Sequence, residues 1–196
     1  MTVVSPEISP PVTSTSGPVS PLPPVWVGFL FALASVLAEA TGVMARDVTA
    51  EQAILNVNAG RWSMTVLDLA GGIYWLFCIH RFHKVLGQIS PHVDGAPTYP
   101  TSPRKAVGYH LVPFFNLGWI FKWPSDLVKY VHRHSSTRMV SGGVLGAGLL
   151  LSSLMSRFFY TPIALTLCFG IGLYIAGKLR RVVEEHELRE VLSVFN

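Results

Sequence analysis

Charge is what this sequence has least of. Of its 196 residues only 13% are Asp, Glu, Lys or Arg, against 50% hydrophobic, and the mean hydropathy is +0.44. That excludes an ordinary soluble domain, in which about a quarter of the residues are charged. Cysteine is scarce as well. Cys78 and Cys168 are the two, each inside an apolar run, so a disulfide framework is excluded and buried structural thiols are expected. There is no internal repeat, no long heptad array, and no nucleophile elbow, P-loop, HExxH or paired-glycine dinucleotide fingerprint. No Cys/His cluster has zinc-site spacing. Enzymatic activity therefore has no support, and no cofactor or metal is implied. The length leaves room for one small membrane domain and none for a separate catalytic one. In such a chain a net charge of +4 reports loop topology rather than nucleic-acid binding.

Lys and Arg are missing altogether from residues 1–24, which hold half of the 14 prolines, with Ser and Thr between them. A segment so poor in apolar surface is expected to be a disordered or polyproline tail. Without a positive n-region it does not read as a secretory signal.

The apolar runs come next. Val25 to about Ala45 is long enough to cross a bilayer and carries one charge, Glu39. A polar loop from Arg46 to Arg61 follows, with a short helix expected from Thr49. Trp62 to Phe82 is the second span, with Asp68 inside it and a basic end at His80, Arg81, His83 and Lys84. Met139 to Ser156 and Thr161 to Gly177 are two further runs, and both carry small residues four apart. Gly142 pairs with Gly146, Gly143 with Ala147, and Gly172 with Ala176. In lipid that spacing lets helix backbones approach closely, so these two runs are expected to pack as a tight antiparallel hairpin and to meet partners. Residues 178–196 form an amphipathic helix with Leu188, Val191, Leu192 and Phe195 on one face. That helix is expected to lie on the membrane or to dock a partner helix.

Between the second and third of these runs lies Ser102 to Pro124, SPRKAVGYHLVPFFNLGWIFKWP. Ser102-Pro103 is a helix start. Pro113, Asn116 and Gly118 then interrupt the run where a spanning helix would have its middle. Two geometries fit. Either two half-helices enter, turn at Pro113 to Gly118 and leave by the same side, or one kinked helix crosses. A separate interfacial helix is expected to start at Pro124 and bury Leu127, Val128 and Val131. Loop charge favours the re-entrant form. It puts twelve of the fifteen Lys and Arg residues on the side of the C-terminus, leaving Arg46, Arg61 and Arg157 opposite, whereas a crossing helix splits them ten to five. The fold expected is thus an all-α polytopic membrane bundle of four spans plus a broken, re-entrant helix, with five spans as the alternative. Residues 25–177 form the membrane domain and the C-terminus is cytoplasmic.

Ionisable groups at depth are the sharpest functional flags. Glu39 and Asp68 fall about six residues inside the same boundary and can face each other as a proton or cation site. The plainer reading pairs them with Arg46, Arg61 or Arg157. His110 and Asn116 can add a polar pocket at the broken helix, as in transporters whose half-helices hold substrate. For Asn116 the plainer role is to satisfy carbonyls freed by Pro113. His80 and His110 are the two histidines that could serve as haem ligands, but histidines beside Lys and Arg read more simply as interfacial residues.

The stretch SPRKAVGYHLVPFFNLGWIFKW, with the preceding YWLFCIHRFHKVL, resembles a group of uncharacterised bacterial multi-pass membrane proteins. These share a Ser-Pro start, a Pro-Phe-Phe-Asn turn and a Trp-Ile-Phe end. Gly118 stands where that group would carry an aromatic residue. The resemblance covers about a quarter of the chain and implies a bacterial inner or thylakoid-type membrane, without a function. The combined expectation is a small membrane protein that binds other membrane proteins or its own copies as a scaffold, assembly factor or accessory subunit. A transporter built on Glu39, Asp68, His110 and Asn116 is the alternative.

Overall fold

The computed structural model describes residues 19–44, 50–93, 96–158 and 160–195. Among these the fold is all-α, with six helices: α1 Val27–Met44, α2 Ala50–Ile89, α3 Pro103–Leu111, α4 Pro113–His134, α5 Gly142–Phe158 and α6 Thr161–Val194. A minimal antiparallel pair, β1 His92–Val93 with β2 Ala96–Pro97, closes the α2–α3 connection.

Helix α2 runs unbroken for 40 residues, about 60 Å. Residues 50–61, expected as a loop carrying a short helix, belong to it; the Thr49 cap lies outside the described residues. The cause is the absence of proline from Ala50 through Ser90. Pro91 is the first, and α2 ends just ahead of it, as the steric conflict before proline demands. Helix α6 is likewise continuous over 34 residues, so Gly177 and Lys178 mark no break between the apolar run and its amphipathic extension.

The central stretch is a helical hairpin whose turn differs from the expected one. Ser102 caps α3, its Oγ accepting from the Lys105 N–H at 3.4 Å. The chain then reverses at Val112, which has extended backbone angles, and Pro113 opens α4 as its first residue. Proline at that position forfeits no helical hydrogen bond, so Asn116 and Gly118 lie inside α4 rather than in a turn. The expected interfacial helix from Pro124 is the second half of α4, and Pro124 lies within it. Leu127, Val128 and Val131 do face the core there.

A proline inside a helix frees the carbonyl one turn back. The fold covers that turn with α5. A Cβ on Gly142 would stand 2.3 Å from Ser125 Cα, and one on Gly146 would stand 3.0 Å from the Ile120 carbonyl oxygen. The Ser125 hydroxyl adds a bond to the Phe121 carbonyl at 2.8 Å. Gly142 and Gly146 therefore serve α4, not the α5–α6 pairing that their spacing suggested. Gly148 fills that role against Ile171, while Gly172 takes the Trp75 ring of α2.

The buried core is one cluster that includes Phe82 and Leu86 of α2, Trp119, Trp123 and Leu127 of α4, and Phe169 and Leu179 of α6. Residues 19–24, which composition assigned to the tail, are seated on this body. Ser20 N–H donates to Gln88 Oε1 at 2.9 Å, and Tyr74 donates to the Pro24 carbonyl at 2.7 Å. Away from the core the surface is apolar. Trp62, Val66, Leu69 and Ile73 form one exposed stripe of α2, each at least 60% accessible. Two helical stretches, Trp62–Ile89 and Thr161–Ser193, are long and apolar enough to cross a membrane, and Val27–Ala40 and Gly142–Ser156 are shorter apolar helices. The most apolar windows of those two are only 17% and 33% buried, unlike the core helix of a soluble protein.

Candidate functional site

The four polar residues singled out in the sequence form two groups. Asp68 of α2 accepts from the Ser35 hydroxyl of α1 at 3.3 Å, and the Thr161 hydroxyl, first in α6, also lies within hydrogen-bonding reach of it. Thr161 thus serves Asp68 rather than capping its own helix, whose N-cap is Tyr160 with no side-chain cap bond. Glu39 sits one turn beyond Ser35, and its carboxylate meets the Tyr160 hydroxyl. Adjacent residues on α1 and at the start of α6 therefore hold both carboxylates at one end of the bundle. Neutral hydroxyls, not cations, are the contacts seen; the Arg46, Arg61 and Arg157 side chains expected to neutralise these acids lie outside the described residues. Hydroxyl donors stabilise a carboxylate without cancelling its charge, so this end keeps the capacity to attract a proton or a cation.

His110 and Asn116 belong elsewhere. His110 touches Trp119 and Trp123 edge-on and obliquely, at 6.3 and 6.2 Å between ring centroids. His83 touches the same two tryptophans at 6.3 and 5.8 Å. Since Asp68 and His83 share α2, fifteen residues separate the two groups, about 22 Å along the helix axis. Asn116 keeps its Oδ1 buried with no hydrogen-bond partner. The carbonyls it was expected to satisfy are not freed, because Pro113 begins the helix.

The histidine group has its own logic. His83 is fully buried, its Nδ1 2.9 Å from the Ile79 carbonyl and its Nε2 without a partner. Nδ1 must carry the proton to donate there, which leaves Nε2 as a bare lone pair. His110 Nδ1 lies 2.8 Å from the Ala106 carbonyl and also 3.1 Å from Trp119 Nε1. It cannot donate to the first and accept from the second. Accepting from Trp119 leaves one orphan, the His110 Nε2–H; the other tautomer orphans the Trp119 N–H as well. Each buried orphan costs about 1–3 kcal/mol, so Nδ1 is the acceptor. Trp123 Nε1 and the Tyr99 hydroxyl are also buried without partners, and burial pushes the Tyr99 hydroxyl well above the ordinary phenol range. His83, His110, Tyr99 and Trp123 thus form one buried aromatic cluster in which His83 Nε2, the Tyr99 hydroxyl and Trp123 Nε1 are each left without a hydrogen-bond partner.

Sequence reasoning placed His80, not His83, beside His110. The i+4 spacing of His83 from Ile79 and its place on the buried face with Ile79, Phe82 and Leu86 are the signals that would have found it. Among the described residues no three His, Cys, Asp or Glu side chains converge as metal ligands. Comparison with protein-family models, curated proteins and solved structures finds no match for the chain.

Proposed function

We propose that this chain is a small membrane protein that works by helix–helix contact, as a scaffold, assembly factor or accessory subunit. The observation that carries this reading is the continuity of α6. If its apolar run crosses the bilayer as far as Gly177, the unbroken helix carries residues 178–194 onward for about 25 Å. Leu188, Val191 and Phe195 lie on one side of that extension and are 63%, 56% and 80% exposed. Leu188 then stands about 16 Å beyond the hydrocarbon, past a headgroup layer of about 5–8 Å. Without a hinge at Lys178 the extension cannot fold down onto the membrane, so its apolar face is suited to a protein partner.

The same reading places α1, α2, α5 and α6 as four spans and the α3–α4 hairpin as re-entrant. Two features support this. Helix α3 has nine residues, about 14 Å, half of what crossing needs. The antiparallel contacts of Gly142 with Ser125 and Gly146 with Phe121 put Phe114, at the hairpin tip, level with Ser153, deep along α5. The tip residues Leu111, Phe114 and Leu117 are exposed and apolar, as lipid contact requires. The basic ends of α2, α4 and α6 then lie together on the cytoplasmic side of a bacterial inner or thylakoid-type membrane. A transport module using Glu39, Asp68, His110 and Asn116 together has less support, because about 22 Å separates its halves.

The test is purification from native membranes in gentle detergent with mass spectrometry of what accompanies the chain. A stoichiometric partner should be lost in Leu188→Glu/Val191→Glu while the bundle keeps its melting temperature. A partner that stays bound to that variant, or no partner at all, would sink the reading.

A further inference from the structure

At the basic end the tips of α2, α4 and α6 part around a cleft of about 300 Å3. Ile89, Tyr130 and Val182 make its wall apolar, while Arg133, His186 and Arg189 contribute cationic or ionisable groups. A neighbouring cleft of about 490 Å3 shares Tyr130, Arg133 and His134 and adds Lys129. The acids close by are already engaged. Asp126 is held by Lys122 at 2.8 Å. Glu185 accepts from the Ser136 N–H and from the Ser136 and Thr137 hydroxyls, leaving Arg189 only a 3.9 Å contact with it.

Arg189 is instead positioned by donating to the His134 carbonyl at 3.1 Å. The His134 ring stacks on Tyr130 at 4.4 Å. Arg133 has no carboxylate partner among the described residues, and His186 Nδ1 is buried with no partner. Two guanidinium forks beside an unpaired imidazole nitrogen suit one chemistry above others, the tetrahedral oxyanion of a phosphate.

Depth, on the membrane placement proposed above, leaves the cleft open to either a lipid or a soluble source of phosphate. Ile89 lies seven residues beyond Phe82 and Val182 five beyond Gly177, so two helices independently set the apolar wall about 7–10 Å outside the hydrocarbon, with the His186 and Arg189 backbone about 14–18 Å outside it. That is the outer edge of the headgroup layer, where both a lipid headgroup and a soluble phosphate compound can reach, and basic pockets between helices on the cytoplasmic side are where anionic headgroups bind. We infer that this cleft binds a phosphate mono- or diester through Arg133, Arg189 and His186, carried either by an anionic lipid headgroup or by a soluble phosphate compound.

The test uses the full chain in neutral detergent, titrated with short-chain phosphatidylglycerol, short-chain phosphatidylcholine and inorganic phosphate while the melting temperature is followed. Phosphatidylglycerol is expected to raise it and phosphatidylcholine to leave it unchanged. Arg133→Gln should weaken phosphatidylglycerol binding about tenfold or more, and His186→Asn provides a second variant if the first folds poorly. Arg180→Gln, an exposed cation outside the cleft, should change nothing. A response to inorganic phosphate as strong as that to the lipid assigns the site to a soluble phosphate compound. No response to either probe, or an equal loss in Arg180→Gln, overturns the inference. Neither result touches the Leu188 face, whose partner is read out separately.

Discussion

Glu185 shows how a single side chain ties distant parts of this chain together. The sequence pairs it with Arg189 on the next turn, and that contact exists at 3.9 Å. Its stronger partners come from the α4–α5 connection: the Ser136 hydroxyl at 2.7 Å, the Ser136 N–H at 2.9 Å and the Thr137 hydroxyl at 3.0 Å. These donors, the Ser136 hydroxyl foremost, hold the carboxyl below the usual carboxylate range. A carboxyl whose pKa falls on folding stabilises the fold above its unfolded pKa, and that stabilisation is lost as pH drops through the folded value. Acidification from neutrality to about pH 3 should therefore loosen the connection at residues 135–137, read as faster proteolysis there. Glu185→Gln should cleave faster already at neutral pH and respond less to acid. Parallel profiles for the two proteins would show that other groups govern the loop.

At the scale of elements, helix α5 separates small residues that its sequence treats alike. Gly142 and Gly146 face α4 across the turn loosened by Pro124, whereas a Cβ on Gly143 would have only the Ser141 hydroxyl, at 4.0 Å, beside it. Ala147 is exposed on the same side as Gly143. Gly142→Ala should cost about 2 kcal/mol or more, because its Cβ meets backbone that cannot swing aside. Gly143→Ala should be neutral or slightly stabilising, since alanine is the better helix former. Detergent melting curves of the two variants decide it; equal losses would mean that the α4–α5 contact is not as close as described. The hairpin repeats the theme. Ser102, Pro103 and Pro113 act as their local chemistry dictates, whereas Asn116 and Gly118, apt for a turn, are absorbed into α4 because the chain has already reversed at Val112.

For the whole molecule the decisive question is which side each end of α3–α4 faces. With a re-entrant hairpin, cysteines placed at Arg104 and Lys122 should react with a membrane-impermeant thiol reagent from the same side as one at Arg180. If residues 103–123 crossed, Arg104 would label from the opposite side to Lys122 and Arg180. The measurement is labelling of sealed, oriented vesicles before and after permeabilisation, in a background with Cys78 and Cys168 replaced by alanine.

Much of this architecture was legible in the chain itself. Hydropathy and the scarcity of charge determine the apolar helices, since burial in lipid or protein is the only favourable place for such runs. The proline positions determine where helices start and where α2 must stop. Other features arise only from packing. The proline at 124 is tolerated because α5 offers glycines to cover it. Asp68 is drawn to hydroxyls of α1 and α6, and His83 joins His110 within a tryptophan wall. These pairings join residues 17 to 93 positions apart in sequence, and no local preference encodes which helix face will meet which. The tertiary structure decides them, because close packing admits few arrangements of six helices at once.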